Sequence, residues 1–297
     1  MLKINHLIPA LAVIGDFMRG FVFFLISMMM TVGTALAQAP GPIAAENLSG
    51  WDSTHVSVGV AAVVTPEFEG SDKHDFKALP IIDIMLNDGK YFISTTRGAG
   101  VSWRVGDFFS FGPVIKYRFG RDEDDSRLLK GLGDVDGGFE LGGYAAWRVP
   151  NLIRYYDTTS KPNLNFDATL EFLHGLGSAK GWQAKMGTGL GYGVQESYMV
   201  NLGVNAVYAD KDYQHEYFGI SDRQSQKSRY ERYSPDGGLK HVAVSTSLNI
   251  WLASDWQVNI FGEYRRLTGD AADSPLVKAG SPNQTMGGVA LVWRFNP

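Results

Sequence analysis

Residues 285–295 read TMGGVALVWRF. Val289, Leu291, Trp293 and Phe295 share one face at a period of two, and Gly288, Ala290, Val292 and Arg294 share the other. An alternating segment that ends in aromatics is what the closing strand of a transmembrane barrel requires. Its apolar side meets lipid, and its aromatics sit at the membrane–water boundary. The same alternation would serve any half-buried strand, so the rest of the chain has to decide between them.

Eleven more segments alternate in this way. They cover 53–64, 79–86, 90–96, 98–105, 109–119, 138–149, 163–174, 182–193, 198–209, 240–252 and 256–267. Most are close to the 9–11 residues with which a tilted strand crosses a bilayer. Asn87-Asp88-Gly89 is a strong hairpin signal between two of them, and Pro113 makes the middle of 109–119 a weaker strand. Connection lengths alternate as well. On one side fall 65–78, Arg97, 119–137, 175–181, 210–239 and 268–284; on the other fall 87–89, 106–108, 150–162, 194–197 and 253–255. Apart from Arg97 and 150–162, long loops lie at one end and short turns at the other, as in outer-membrane barrels. The expected fold is therefore an all-β transmembrane antiparallel barrel of about twelve strands, or ten if two segments fail. An even number lets the ends meet and leaves no free edge.

The N-terminus carries an export signal. Phe21 to Val32 is a short apolar run after Arg19, and Ala35-Leu36-Ala37 follows as a small-x-small cleavage site. The run is shorter than the roughly 20 apolar residues of a spanning helix. Residues 1–37 are expected to be the signal peptide, with Met18 the more usual start. Residues 38–52, with Pro40, Gly41 and Pro42, are expected to be a flexible periplasmic leader, and 53–297 the barrel. The absence of cysteine excludes disulfides and thiol chemistry. Residues 1–37 hold two basic groups and one acidic, so the remainder carries 25 − 30 = −5. A mildly acidic chain has no general attraction for nucleic acid.

The polar faces place Arg104, Lys116, Arg118, Glu140, Arg148, Asp167, Glu171, Lys185, Glu263 and Arg265 in the lumen, together with Asp83. Acids and bases nearly balance, so these side chains are expected to pair across a narrow lumen and fill it. A selective pore would more often show a ring of one sign.

Several segments carry a resemblance to a known family. They are GPVIKYRFGRDEDDSRLLKGLGDVDGGFELGGY at 112–144, PEFEGSD at 66–72, YFGISDRQSQKSRYERYSPDGGLKHV at 217–242 and YRRLTGDAADSPLV at 264–277. In this order they resemble the MipA/OmpV family, the MltA-interacting-protein family of outer-membrane proteins, from about residue 53 to 295. The departures are the two residues after Phe295 and the long leader. The resemblance implies an outer-membrane location among lipid and lipopolysaccharide. It also implies a scaffold role that joins a lytic murein transglycosylase to a peptidoglycan synthase. Family membership constrains the architecture more than the task, and a small-solute channel is the alternative.

Arg121, Asp134, Asp136, Tyr264, Arg266, Asp270 and Asp273 lie in the family-like loop segments. They are expected to tie the long loops together through charge-assisted hydrogen bonds, or to form a partner surface. Tyr213, Tyr217, Phe218, Tyr230 and Tyr233 are the aromatic candidates for a contact surface, or for a segment folded back over the barrel mouth. Other constellations favour bland readings. The acidic run Asp122–Asp125 is expected to be a solvated loop rather than a cation site, and Asp134-Val135-Asp136-Gly137 lacks the further ligands of a calcium loop. His174 with Ser178 and Glu171 is expected to be an interfacial histidine, because Glu171 points the other way and no nucleophile motif is present. No enzymatic activity, cofactor or metal is expected.

Overall fold

The computed structural model of the chain describes residues 54–150, 152, 162–194 and 197–295. The expected signal peptide, the leader and most of 150–162 lie outside the described residues. Among the described residues twelve strands are present: β1 (His55–Pro66), β2 (His74–Leu86), β3 (Tyr91–Ser94), β4 (Gly98–Val101, continued by Trp103–Val105), β5 (Phe109–Arg118) and β6 (Gly138–Val149). They continue with β7 (Asn163–Gly175), β8 (Trp182–Val194), β9 (Tyr198–Ala209), β10 (Gly238–Trp251), β11 (Trp256–Leu267) and β12 (Asn283–Phe295). The two parts of β4 behave as one strand, because the Ser102 N–H between them donates to the Lys90 carbonyl at 2.7 Å.

Each strand pairs antiparallel with its neighbours in the chain, and β1 also pairs with β12 from Val56↔Phe295 to Val64↔Gly287. The sheet is therefore a closed twelve-stranded barrel. Pairing in this register puts Val289, Leu291, Trp293 and Phe295 beside Ala62, Val60, Val58 and Val56 on the outer face. Ala290 and Val292 turn inward and are buried. The same division runs round the wall. On β5, Phe109, Phe111, Ile115 and Tyr117 are exposed outward, while Ser110, Val114 and Arg118 are buried inside. So much exposed apolar surface, continuous around a closed sheet, far exceeds what a water-soluble monomer carries and matches the lipid-facing band of a membrane barrel. Pro113 is accommodated within β5 opposite Gly143 on this outer face.

Alternation located the strands well, with two differences. β2 begins at His74 rather than 79, which reduces the first long connection to a tight turn at 67–73. Asp75 and Lys77 face inward there opposite Thr65 and Val63, so their charges concealed a strand that the register makes plain. β3 is only four residues long, so the hairpin around Arg97 stops well short of its neighbours.

The long connections fold into short helices: α1 (Lys211–Phe218), α2 (Asp222–Lys227), α3 (Gly269–Asp273) and α4 (Pro275–Ala279). Among the described residues no helix is long and apolar enough to cross a membrane.

Candidate functional site

The long loops meet over one end of the barrel and close it with two apolar clusters. One joins Ala209, Tyr213, Tyr217, Phe218, Leu267 and Val277. The other joins Phe68, Leu129, Leu132, Ile220, Tyr230 and Leu276. These side chains come from the β1–β2 turn, from loop 119–137, from the segment 210–237, from α4 and from the ends of β9 and β11. Residues far apart in sequence thus form one cap.

Helix α1 is fixed to the wall by Asp210. Its carboxylate accepts from the Tyr213 N–H at 2.9 Å as a helix cap and from the Trp182 N–H on β8 at 3.0 Å. Tyr213 and Tyr217 then point down into the barrel with ring centroids 4.9 Å apart. Beneath them the Arg118 guanidinium stacks 4.4 Å from the Tyr213 ring, pairs with Glu140 and donates to the Lys180 carbonyl at 2.7 Å. Lys240 donates from Nζ to Tyr213 Oη at 3.0 Å and to Glu69 Oε2 at 3.2 Å. His241 and Arg265 each approach Glu69 Oε1 to 3.5 Å.

Charge and burial act together in this floor. Burial alone would raise the Glu69 carboxyl, but Lys240, with His241 and Arg265, holds it well below the usual carboxylate range. Burial pushes the Tyr213 and Tyr217 hydroxyls well above the usual phenol value, and it lowers the Arg121 guanidinium to about 10. It also raises Glu216, which lies 3.6 Å from Arg118.

The loop residues singled out from the sequence fall into two groups. Arg121 is buried, bridges Val135 through the backbone and donates from Nη1 to the Tyr217 carbonyl at 2.9 Å. Tyr217 Oη donates to the Phe119 carbonyl at 3.4 Å, Tyr230 Oη to that of Leu128 at 2.9 Å, and Ser274 Oγ to that of Phe218 at 2.7 Å. Asp134 accepts from the Glu123 N–H, and Asp270 from the Asp236 N–H and, at its carbonyl, from Tyr233 Oη. Burial leaves the rings of Tyr213, Tyr217, Phe218 and Tyr230 out of reach of a partner meeting this end. Asp136 is exposed, and Asp273 makes an exposed pair with Lys278. Tyr264 and Arg266 stand apart from the loops. Both lie on the outer face of β11 and donate to Asn283 Oδ1 at 2.8 and 2.9 Å.

Most of the expected lumen charges do point inward. Lys116 pairs with Glu171 at 2.7 Å, Arg118 with Glu140, and Arg265 with Glu263. Arg148 donates to Ser110 Oγ at 3.3 Å, and Lys185 sits opposite Glu171 in the β7–β8 register. Asp167 leans over Gly189, one of four glycines that β8 turns inward. Arg104 is the exception, because it is exposed at the turn end and donates to the Asp88 carbonyl at 2.8 Å. Sequence reasoning did not find Glu69, Lys240 and His241. A register shift at Val207/Tyr208 brings Lys240 and His241 both to the inside, which strict alternation forbids.

The remaining constellations separate in space. His174 Nδ1 lies 2.8 Å from the Gly175 carbonyl, Ser178 donates to the Gly137 carbonyl, and Glu171 faces Lys116 in the lumen. In the acidic run, Asp122 caps a short 3-10 turn and Asp124 pairs with Lys130. The lumen keeps a small recess of about 50 Å³ beside Phe92, Arg97, Lys116, Tyr144, Arg148 and Lys185.

The family model described as MltA-interacting protein MipA matches residues 58–295. No curated protein matches the chain. Several solved structures are similar to it at low identity. The "COG4313 outer membrane channel from Pseudomonas putida F1" is 10% identical with a TM-score of 0.45, covering 84% of this chain and 98% of that one. The "KdgM porin" is 12% identical with a TM-score of 0.39, covering 81% and 99%. "OprD from Pseudomonas aeruginosa" is 8% identical with a TM-score of 0.32, covering 87% and 96%.

Proposed function

The chain belongs to the MltA-interacting protein MipA family, and from that premise we propose that this outer-membrane barrel is a non-enzymatic scaffold that holds murein hydrolase and synthase complexes to the outer membrane. The cap is the observation that carries the reading. Two apolar clusters and a set of buried ion pairs close one mouth of the barrel. A conduit for solutes has no use for a mouth built as a packed core, whereas an anchor gains stability from it. The working surface then belongs to the opposite end, with the short turns, through which the expected leader 38–52 and the connection 150–162 would meet partners in the periplasm. A lytic murein transglycosylase and a peptidoglycan synthase are the partners this reading expects there.

Affinity purification from solubilised outer membranes tests the proposal. A murein transglycosylase should co-purify with the unaltered protein and be lost when 150–162 is replaced by a Gly/Ser linker of equal length. Its retention would remove that surface from the proposal, and its absence from both preparations would overturn the scaffold. Planar-bilayer recording decides the alternative, a small-solute channel. The capped barrel should be electrically silent, and steady conductance steps would favour the channel.

A further inference from the structure

The wall is complete at the turn end and interrupted towards the capped end. β2 runs from His74 to Leu86, yet β3 pairs with it only from Asp83 to Leu86. The hairpin continues one step further, where the Thr95 N–H donates to the Ile82 carbonyl at 2.9 Å, and then turns back. On the far side, β4 reaches β5 no higher than Gly98, which lies against Ile115 and Lys116, so among the described residues Tyr117 and Arg118 have no strand beside them there. Between the upper halves of β2 and β5 two strands are missing among the described residues. At ordinary spacing this corresponds to about 14 Å between the two strand axes. Above the gap, Leu129 and Leu132 of loop 119–137 meet Phe68 of the β1–β2 turn in the cap. The result is a window bounded by β2, β5, the hairpin tip and a roof.

The window lies at lipid depth. The outward residues flanking it are Phe76, Ala78, Pro80 and Ile82 on β2 and Ile115 and Tyr117 on β5, all of them apolar or aromatic. Behind it the inner face of β2 is mixed, with Asp75 and Lys77 inward towards the cap and Leu79 and Ile81 inward below them. Ile81 is buried with Ala61, Val63, Phe261 and Val292, and Leu79 packs against them. An apolar patch around Leu79 and Ile81 thus lies inside the barrel behind the apolar outer face of the same strand. The edge itself is built against strand pairing. Ile82 directs its N–H and carbonyl to the hairpin side, so by the period of two Pro80 presents its nitrogen there, where it has no hydrogen to donate. The free groups of Phe76 and Ala78 need polar partners, because a bare edge in hydrocarbon is costly.

We propose that the window admits an amphiphile from the surrounding membrane, with its acyl chain against Leu79 and Ile81 and its polar linkage against the free edge of β2. The chain has no cysteine, so single cysteines can carry a small fluorophore. The full barrel would be placed in vesicles of phosphatidylcholine with brominated acyl chains. Label at Leu79→Cys, which faces inward, should be quenched as strongly as label at the outward Ala78→Cys. Label at Gly187→Cys, inward on the opposite wall, should remain bright. Protection of position 79 equal to that of 187 would overturn the proposal. So would cross-linking of two copies through Ala78→Cys with position 79 protected, which would place a second chain's edge in the gap. A second variant lengthens β3 and β4 by four residues each at 95–97. Closing the window in this way should abolish quenching at 79 and preserve it at 78, and undiminished quenching at 79 would likewise reject the site.

Discussion

Arg97 Nη2 lies 2.7 Å from Asp83 Oδ1, and this pair pins the tip of the β3–β4 hairpin inside the barrel. Both side chains are almost completely buried, and the Arg97 guanidinium also stacks 4.9 Å from the Phe92 ring. Asp83 has a second partner in His55 at 3.0 Å. Arg97→Met keeps the bulk and removes the charge, leaving the carboxylate to His55. Breaking a buried pair typically costs about 3–5 kcal/mol, and the remaining histidine puts the expectation at the lower end. Urea unfolding of refolded protein in lipid, run as a double-mutant cycle with Asp83→Asn, should return a favourable coupling between the two positions.

The cap should open at alkaline pH. Burial holds the Tyr213 and Tyr217 hydroxyls above the ordinary 10. A group whose pKa is raised by folding contributes stability that is complete below its unfolded value and is lost as pH climbs towards the folded one. The cap should therefore be indifferent to pH between 6 and 9 as far as these groups are concerned, and should loosen above pH 10. Tyrosinate absorbance followed by rapid pH jump should show a slow phase for these two residues behind the fast titration of exposed tyrosines. Tyr213→Phe should shrink that phase without abolishing it.

Glu69 behaves in the opposite sense. Its carboxyl is held below the ordinary 4.5 by Lys240, His241 and Arg265, so its contribution is present at every pH above that value and fades only in strong acid. Glu69→Gln removes it throughout and leaves Lys240 and Arg265 buried with less countercharge. A loss of about 3 kcal/mol is expected from the cost of uncompensated buried charge. Protease susceptibility of 119–137 and 210–237 should rise at neutral pH, where the unaltered protein stays resistant.

The strands were legible in the sequence because each buries one face in protein and turns the other to lipid, which forces a period of two. What escaped reading has local physical causes. Asp75 and Lys77 are charged residues on a strand whose inner face mixes charged and apolar side chains. Lys240 and His241 sit at a bulge that suspends the alternation. The helices of the cap span five to eight residues, as in α3 and α1, too short for a helical period to stand out. The cap itself joins Phe68 to Leu129, Tyr230 and Leu276, contacts between distant segments that no local pattern encodes. The short connection at Arg97, an exception to the sorting of loop lengths, marked the place where the wall is interrupted.

Gly181 offers a way to displace the cap with one methyl group. Its φ is +71°, and a Cβ there would meet Tyr213 N and Asp210 Oδ1 at 2.3 Å. Gly181→Ala therefore strains its own backbone by about 1 kcal/mol and pushes α1 away from the carboxylate that anchors it. The silent barrel should begin to conduct in planar bilayers, with flickering rather than steady openings because the rest of the cap remains attached. Replacement of 211–236 by a short Gly/Ser turn should convert the flicker into sustained conductance. If both variants stay silent, the paired charges of the lumen, and not the cap, block the path.

Pro80 is the residue to change in order to learn what keeps the free edge of β2 unpaired. Exposed edges are templates for another strand, and natural sheets blunt them with proline, charge or brevity. Along β2 the outward side chains near the gap are uncharged, which leaves Pro80 as the device. Pro80→Thr supplies the missing N–H and a residue that favours extended structure. Two copies could then zip their edges together from 76 to 80, with backbone hydrogen bonds that a lipid tail cannot match. A spin label at Ala78→Cys reports this directly through dipolar distances between molecules. The double variant should show a short intermolecular distance that the label on the Pro80 background lacks. Equal distance distributions would mean that the roof formed by loop 119–137, and not the proline, shields the edge.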